Sequence, residues 1–109
     1  MADTDIIQGT LDMLILKTLS LAPMHGYGIS RHIEHLSKDV FKVNPGSLLT
    51  ALHRLERAGW LNSTWRKTDN SRRAKYYSLT AAGRRQLDVE TESWQRRVSA
   101  MSRLLKAEG

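Results

Sequence analysis

The chain has 109 residues, 40% of them hydrophobic and 26% charged, the balance of one folded domain and not of a disordered chain. Seventeen Lys and Arg against eleven Asp and Glu give a formal +6, and the absence of cysteine excludes a disulfide framework, a thiolate nucleophile and a Cys-ligated zinc or iron–sulfur site. Residues 1–51 sum to −1, residues 52–85 to +7 and residues 86–109 to zero, so a localised basic surface facing a polyanion is expected.

Met1 to Asp5 is acidic where a secretory leader would be basic, so no targeting segment is expected. The longest aliphatic run, Met13 to Leu16, falls far short of the ~20 apolar residues of a membrane span, and a cytoplasmic location is the expectation. A first helix is predicted from Ile6 to Leu21, with Ile7, Leu11, Leu14 and Thr18 on one side and Met13 and Leu16 nearly opposite. Such a helix is either buried in its own domain or packed partly against a second molecule.

Ala22 to Gly26 breaks the pattern as a turn, and a second helix follows from about Tyr27 to Ser37 with Ile29, Ile33 and Leu36 as its stripe. Val40 to Val43 is predicted as a short strand. Asn44-Pro45 is a strong helix start, with Asn as the cap and Pro at the first helical position, and Gly59 is the expected stop. This third helix turns Leu48, Leu52 and Leu55 inward and leaves Ser47, Thr50, His53, Arg54 and Arg57 on its other faces.

Two β-prone runs, Trp60 to Arg66 and Ala74 to Leu79, flank the turn-forming Thr68-Asp69-Asn70-Ser71 and predict a hairpin carrying Arg66, Lys67, Arg72, Arg73 and Lys75. Trp60 and Trp65 are expected to pack its base. Thr80 should cap a last helix reaching Lys106, with Leu87, Trp94, Val98, Met101 and Leu105 as its apolar stripe.

Nothing in this pattern points to catalysis. No nucleophile-elbow motif, phosphate-binding glycine loop or HExxH occurs, so no catalytic residue and no cofactor is predicted. His32 and His35 share a helix face without a carboxylate or thiolate to join them, and are read as solvated, with no metal site expected.

Helix, helix, short strand, helix and basic hairpin is the order of a winged helix-turn-helix, a mainly α fold with a small β-hairpin. The expected organisation is residues 1–80 as that domain and residues 81–109 as a long C-terminal dimerisation helix. The third helix would enter the major groove of DNA, with Ser47, Thr50, His53 and Arg54 as candidates for base contact. Arg54 has the planar fork that suits guanine, its competing role being a phosphate contact or a salt bridge to Glu56 or Glu34. Arg72, Arg73 and Lys75 on the wing would face phosphates. A winged-helix module binding protein or RNA is the alternative, against which the basic wing and a two-fold arrangement on a palindromic duplex both argue.

These residues resemble the PadR-like transcriptional regulators. The resemblance runs from about Gln8 to Leu105 and rests on Gln8-Gly9-Thr10-Leu11-Asp12, on Pro23-Met24-His25-Gly26-Tyr27, on Gly46-Ser47-Leu48 with Ala51-Leu52-His53-Arg54-Leu55-Glu56, and on Lys75-Tyr76-Tyr77-Ser78-Leu79-Thr80 with Gly83. It implies a homodimeric repressor, often controlled by a small molecule, and a phosphate contact on DNA at Tyr27, whose competing role is packing. It also implies that the C-terminal helix builds the dimer against the partner's first helix. Two positions depart from the family pattern: Leu49-Thr50 stands where Tyr-Pro is usual, and Gly28 where Glu is common.

The stripe of Leu87, Trp94, Val98, Met101 and Leu105 is too long for the preceding domain to cover, so a second copy is expected to cover it together with the side of the first helix bearing Met13 and Leu16. Trp94 is either an anchor of that interface or, as the resemblance allows, the wall of a pocket for a planar aromatic effector.

Overall fold

The computed structural model describes residues 4–5, 8–70 and 72–107. Among the described residues the elements follow in the order β1 (Thr4–Asp5), α1 (Gln8–Leu21), β2 (Met24–His25), α2 (Gly26–Leu36), β3 (Phe41–Lys42), α3 (Pro45–Arg57), β4 (Leu61–Lys67), β5 (Arg73–Leu79) and α4 (Ala81–Lys106). The expected part of the first helix at Ile6 and Ile7 lies outside the described residues.

Three helices begin on side-chain caps that the sequence supplies. His25 Nδ1 accepts from the backbone N–H of Gly28 at 3.0 Å, Asn44 Oδ1 from Ser47 at 3.0 Å and Thr80 Oγ1 from Gly83 at 3.0 Å. Each satisfies a donor that a helix start otherwise leaves unpaired. Gly59, just past α3, has φ +84°, a left-handed conformation that costs a residue without Cβ little and turns the chain into the wing.

Leu11, Ile15, Leu16 and Leu19 of α1 meet Ile29 and Ile33 of α2, Leu48, Leu52 and Leu55 of α3, Leu61 and Tyr77 of the wing, and Leu87 of α4 in one core. Each fully buried aliphatic side chain contributes about 1.5–3 kcal/mol over exposure. Because α1 packs against α2, α3, α4 and β5, both of its apolar sides are used within the chain. Leu16 is 0% exposed, which corrects its expected place in an interface with a second molecule; Met13 is only partly covered. Even Thr18 is enclosed, its hydroxyl donating to the Leu14 carbonyl at 2.8 Å.

Leu36, expected on the inner stripe of α2, is 65% exposed because it is the final residue of the helix, beyond the reach of the core. The segment read as a turn, Ala22 to Gly26, contains β2, which pairs antiparallel with β5, Met24 opposite Tyr77 and His25 opposite Tyr76. With β4 this gives a three-stranded sheet in the order β2-β5-β4, one strand more than the expected hairpin. The predicted strand around Phe41 is present as β3, and it pairs in parallel with β1.

At the base of the wing, Thr80 gathers three elements. Its N–H donates to the Trp60 carbonyl at 3.1 Å and its hydroxyl to the Gly59 carbonyl at 2.7 Å, while the same hydroxyl oxygen caps α4. Gly83 lies so close to this junction that a Cβ would sit 2.2 Å from the Trp60 carbonyl oxygen. Beyond it α4 leaves the core: Leu87 is 7% exposed, Trp94 39%, Met101 58% and Leu105 82%. A radius of gyration of 15.7 Å, against ~13 Å for a compact chain of this size, records that projection.

Candidate nucleic-acid interface

The buried stripe of α3 is Leu48, Ala51, Leu52 and Leu55, and it fixes what the other faces present. At 100° per residue Gly46, Leu49, Thr50, His53 and Arg57 point directly outward, and all five are exposed. Ser47 and Arg54 lie on the flank toward α1, and Glu56 lies on the flank toward the wing.

Both flanks are held by carboxylates. On the first, Arg54 donates from its guanidinium to Asp12 of α1, an ion pair in which both groups are largely covered. Burial pushes the Asp12 carboxyl up from its ordinary value, opposed by the charge and hydrogen bond of Arg54. Arg54 is therefore held in an ion pair within the chain, the second of the two roles expected for it. The partner is Asp12, and neither Glu56 nor Glu34.

On the other flank the Glu56 carboxylate accepts from the Ser63 hydroxyl of β4 at 2.5 Å and faces Lys75 Nζ of β5 at 3.5 Å. The Ser63 hydrogen bond is the main cause that holds the Glu56 carboxyl below its ordinary value, with the charges of Lys75 and His53 adding to it against partial burial. Lys75 thus leans back onto α3 instead of extending from the wing as a free cation.

The β4–β5 register sorts the wing residues by face. Ser63 opposes Tyr77, Trp65 opposes Lys75 and Lys67 opposes Arg73, so these six share the face toward α3. Thr64 opposes Tyr76 and Arg66 opposes Ala74 on the other face, where the Arg66 guanidinium lies 4.9 Å from the Tyr76 ring centre. Arg72 follows the loop, which is closed by the Thr68 backbone N–H donating to the Arg72 carbonyl at 2.6 Å.

Between α3 and the wing opens a groove of about 960 Å³, walled by Leu49 and His53 on one side and by Trp65, Arg72 and Arg73 on the other, with Tyr27 at one end. Trp65 is 60% exposed with the Arg73 guanidinium 5.6 Å above its ring, which corrects its expected place in the base of the hairpin. Trp60 does pack against the core. Tyr27 is 70% exposed at the start of α2, with Arg31 6.0 Å over its ring and His25 stacked 6.4 Å away.

Of the eight residues expected at DNA, Tyr27, His53, Arg72 and Arg73 are exposed around this one surface, Ser47 and Thr50 are exposed beside a second cavity toward α1, and Arg54 and Lys75 are ion-paired. Leu49, Trp65 and Asp12 were not singled out as site residues by the sequence. Leu49 carried a signal, since it sits at i+4 from Pro45 and i+4 before His53 on the outward face.

An exposed helix beside a cationic two-stranded wing, both opening on one groove, defines a winged-helix DNA-binding protein. A family model described as the transcriptional regulator PadR-like family matches residues 15–89. The fold is similar to a PadR-like transcriptional regulator of Bacillus cereus, with a TM-score of 0.81, 26% identity and coverage of 93% of this chain and 96% of that one. It is also similar to a protein of Streptococcus mutans, with a TM-score of 0.86, 26% identity and coverage of 97% and 95%. In sequence it is 28% identical over 94 residues to protein X of Lysinibacillus sphaericus, 86% of each chain. The chain belongs to the PadR-like family of transcriptional regulators, which bind DNA and are not enzymes. Among the described residues no helix is long and apolar enough to cross a membrane.

Proposed function

We propose that this regulator is a cytoplasmic homodimeric repressor that sets two copies of α3 into successive major-groove faces of a palindromic operator. The observation that carries the reading is the outer half of α4. Trp94, Val98, Met101 and Leu105 follow one another at intervals of four, three and four residues, the spacing of a helix-on-helix seam, and their exposure rises toward the helix end with nothing among the described residues to cover them. A second copy related by a two-fold axis would cover them, with Met13 on the rim of α1. Leu16 and Leu87, both enclosed in the core of one chain, support the geometry of this interface without contacting the partner.

Two reading helices related by a two-fold axis match half-sites one helical turn, or a multiple of it, apart. Trp94 anchors the seam. A planar aromatic effector stacking on it would release the operator by shifting the two heads.

Sedimentation of the full chain tests the dimer: Met101→Glu and Leu105→Glu alter exposed side chains, so they should leave a folded monomer. A wild-type chain that is monomeric at micromolar concentration would overturn the proposal. Footprinting on DNA upstream of its own gene should show two protected half-sites with dyad symmetry, and a single asymmetric footprint would refute the operator geometry. For the effector, Trp94→Phe should keep the dimer and lose the fluorescence response to planar aromatics; loss of the dimer instead would assign Trp94 to packing alone.

A further inference from the structure

A solitary exposed leucine on a protein surface needs no explanation. Leu49 differs by its position. It is the fifth residue of α3, it points outward between Pro45 and His53, and it is 52% exposed. Across the groove stands Trp65, so this cationic groove has an apolar side chain on each wall, with Arg72 and Arg73 beside them. An occupant that suits both features is a polyanion with an apolar point on the edge that α3 would face.

Duplex DNA offers one such point. Along the major-groove edges of the base pairs stand hydrogen-bond donors and acceptors and the small C5–H of cytosine, and the one apolar group that projects into the groove is the 5-methyl of thymine. Leu49 has no donor or acceptor to offer, so polar base edges would lose water against it without return, and only the methyl group gains by the contact.

We propose that Leu49 is a specificity-determining residue that reads the 5-methyl group of a thymine in each half-site. The proposal rests on the placement of α3 in the major groove and goes beyond it by naming the atom read and the residue that reads it.

The test uses the full chain and a duplex enriched by the wild-type protein from a randomised library. Each thymine of that duplex is replaced in turn by deoxyuridine, which removes the methyl group and leaves every hydrogen-bonding group in place. At one base pair per half-site the replacement should weaken wild-type binding about fourfold, the worth of one buried methyl group. Leu49→Ala, a change at an exposed side chain, should bind the thymine and deoxyuridine duplexes equally.

Indifference of the wild type to every replacement would overturn the proposal, as would a Leu49→Ala protein that still discriminates. A Leu49→Ala protein weakened on a duplex whose thymines the wild type does not distinguish from deoxyuridine would assign Leu49 to the sugar–phosphate backbone, and also overturns it. Failure to enrich any duplex would count against the groove placement itself, an outcome distinct from these.

Discussion

Asp12 and Arg54, 42 residues apart in the chain, are joined by a hydrogen-bonded ion pair that ties α1 to one flank of α3. The tie holds against α1 a guanidinium that α3 would otherwise present to solvent. It also reinforces the rotation of α3 that its buried stripe of Leu48, Ala51, Leu52 and Leu55 sets, with Leu49, Thr50 and His53 outward.

Asp12→Asn keeps an acceptor oxygen for Arg54 but removes the charge that holds it. Stability should change by less than about 1 kcal/mol, as for partly exposed pairs. Affinity for non-specific duplex should rise, and the slope of log K against log salt should steepen by about 0.9 as Arg54 gains a phosphate. An unchanged slope in a salt titration would show that Arg54 stays on α1 without its partner's charge.

Arg72 and Arg73 are both exposed at the wing, and neither is held by a carboxylate among the described residues. Arg72→Ala and Arg73→Ala should each flatten the salt dependence by about 0.9 and weaken specific and non-specific binding alike. Lys75→Ala should flatten it less, because Lys75 already faces Glu56. Equal slopes for wild type and both arginine variants would remove the wing from the interface.

Gly83→Ala should be among the costliest small substitutions in the chain. The added methyl would meet the Trp60 carbonyl oxygen at 2.2 Å and Leu79 Cδ1 at 2.7 Å, and a backbone atom cannot swing aside. Overpacking of this kind costs about 1–3 kcal/mol or more, which in a domain of this size lowers Tm by roughly 10 °C. A thermal melt unchanged by the substitution would mean that α4 can shift away from the wing.

Glu56 gives the fold an acid limit. Its carboxyl is held below the ordinary value of 4.5, so below that value the unfolded chain binds more protons than the folded one. The stability it contributes is fully present above the ordinary value and is lost as pH falls through the folded value. Asp12, whose carboxyl is pushed up, has the opposite sign and loses stability as pH rises through its own window. Glu56→Gln should therefore flatten the fall of the urea midpoint on acidification, whereas Asp12→Asn should leave it as steep or steeper.

The ends of α3 and α4 were legible because their signals are local: Asn44 with Pro45, Gly59, and Thr80 lie within three residues of the groups they satisfy. The +7 segment likewise located the groove, since α3 and the wing are adjacent in sequence. What was not legible depends on distant partners. Arg54 displays a reader's chemistry, and only the packing of α1 beside α3 reveals Asp12. Leu16 looked spare on α1 because periodicity counts sides of a helix and not how many neighbours surround it. A strand as short as β2 has no period to detect, and it forms because β5 offers it an open edge.

The clamp at Thr80 has a mechanical corollary. Since the hydroxyl and the N–H of Thr80 together join the turn after α3, the foot of the wing and the start of α4, the head is braced where it meets its shaft. In a pair joined along the shafts, the two heads would move like the points of a pair of dividers whose pivot lies far out along α4. A tilt of a few degrees at Trp94 would then be magnified at Leu49 and His53 into a displacement comparable to the rise of a base pair, so operator spacing would be governed from a place that never touches DNA.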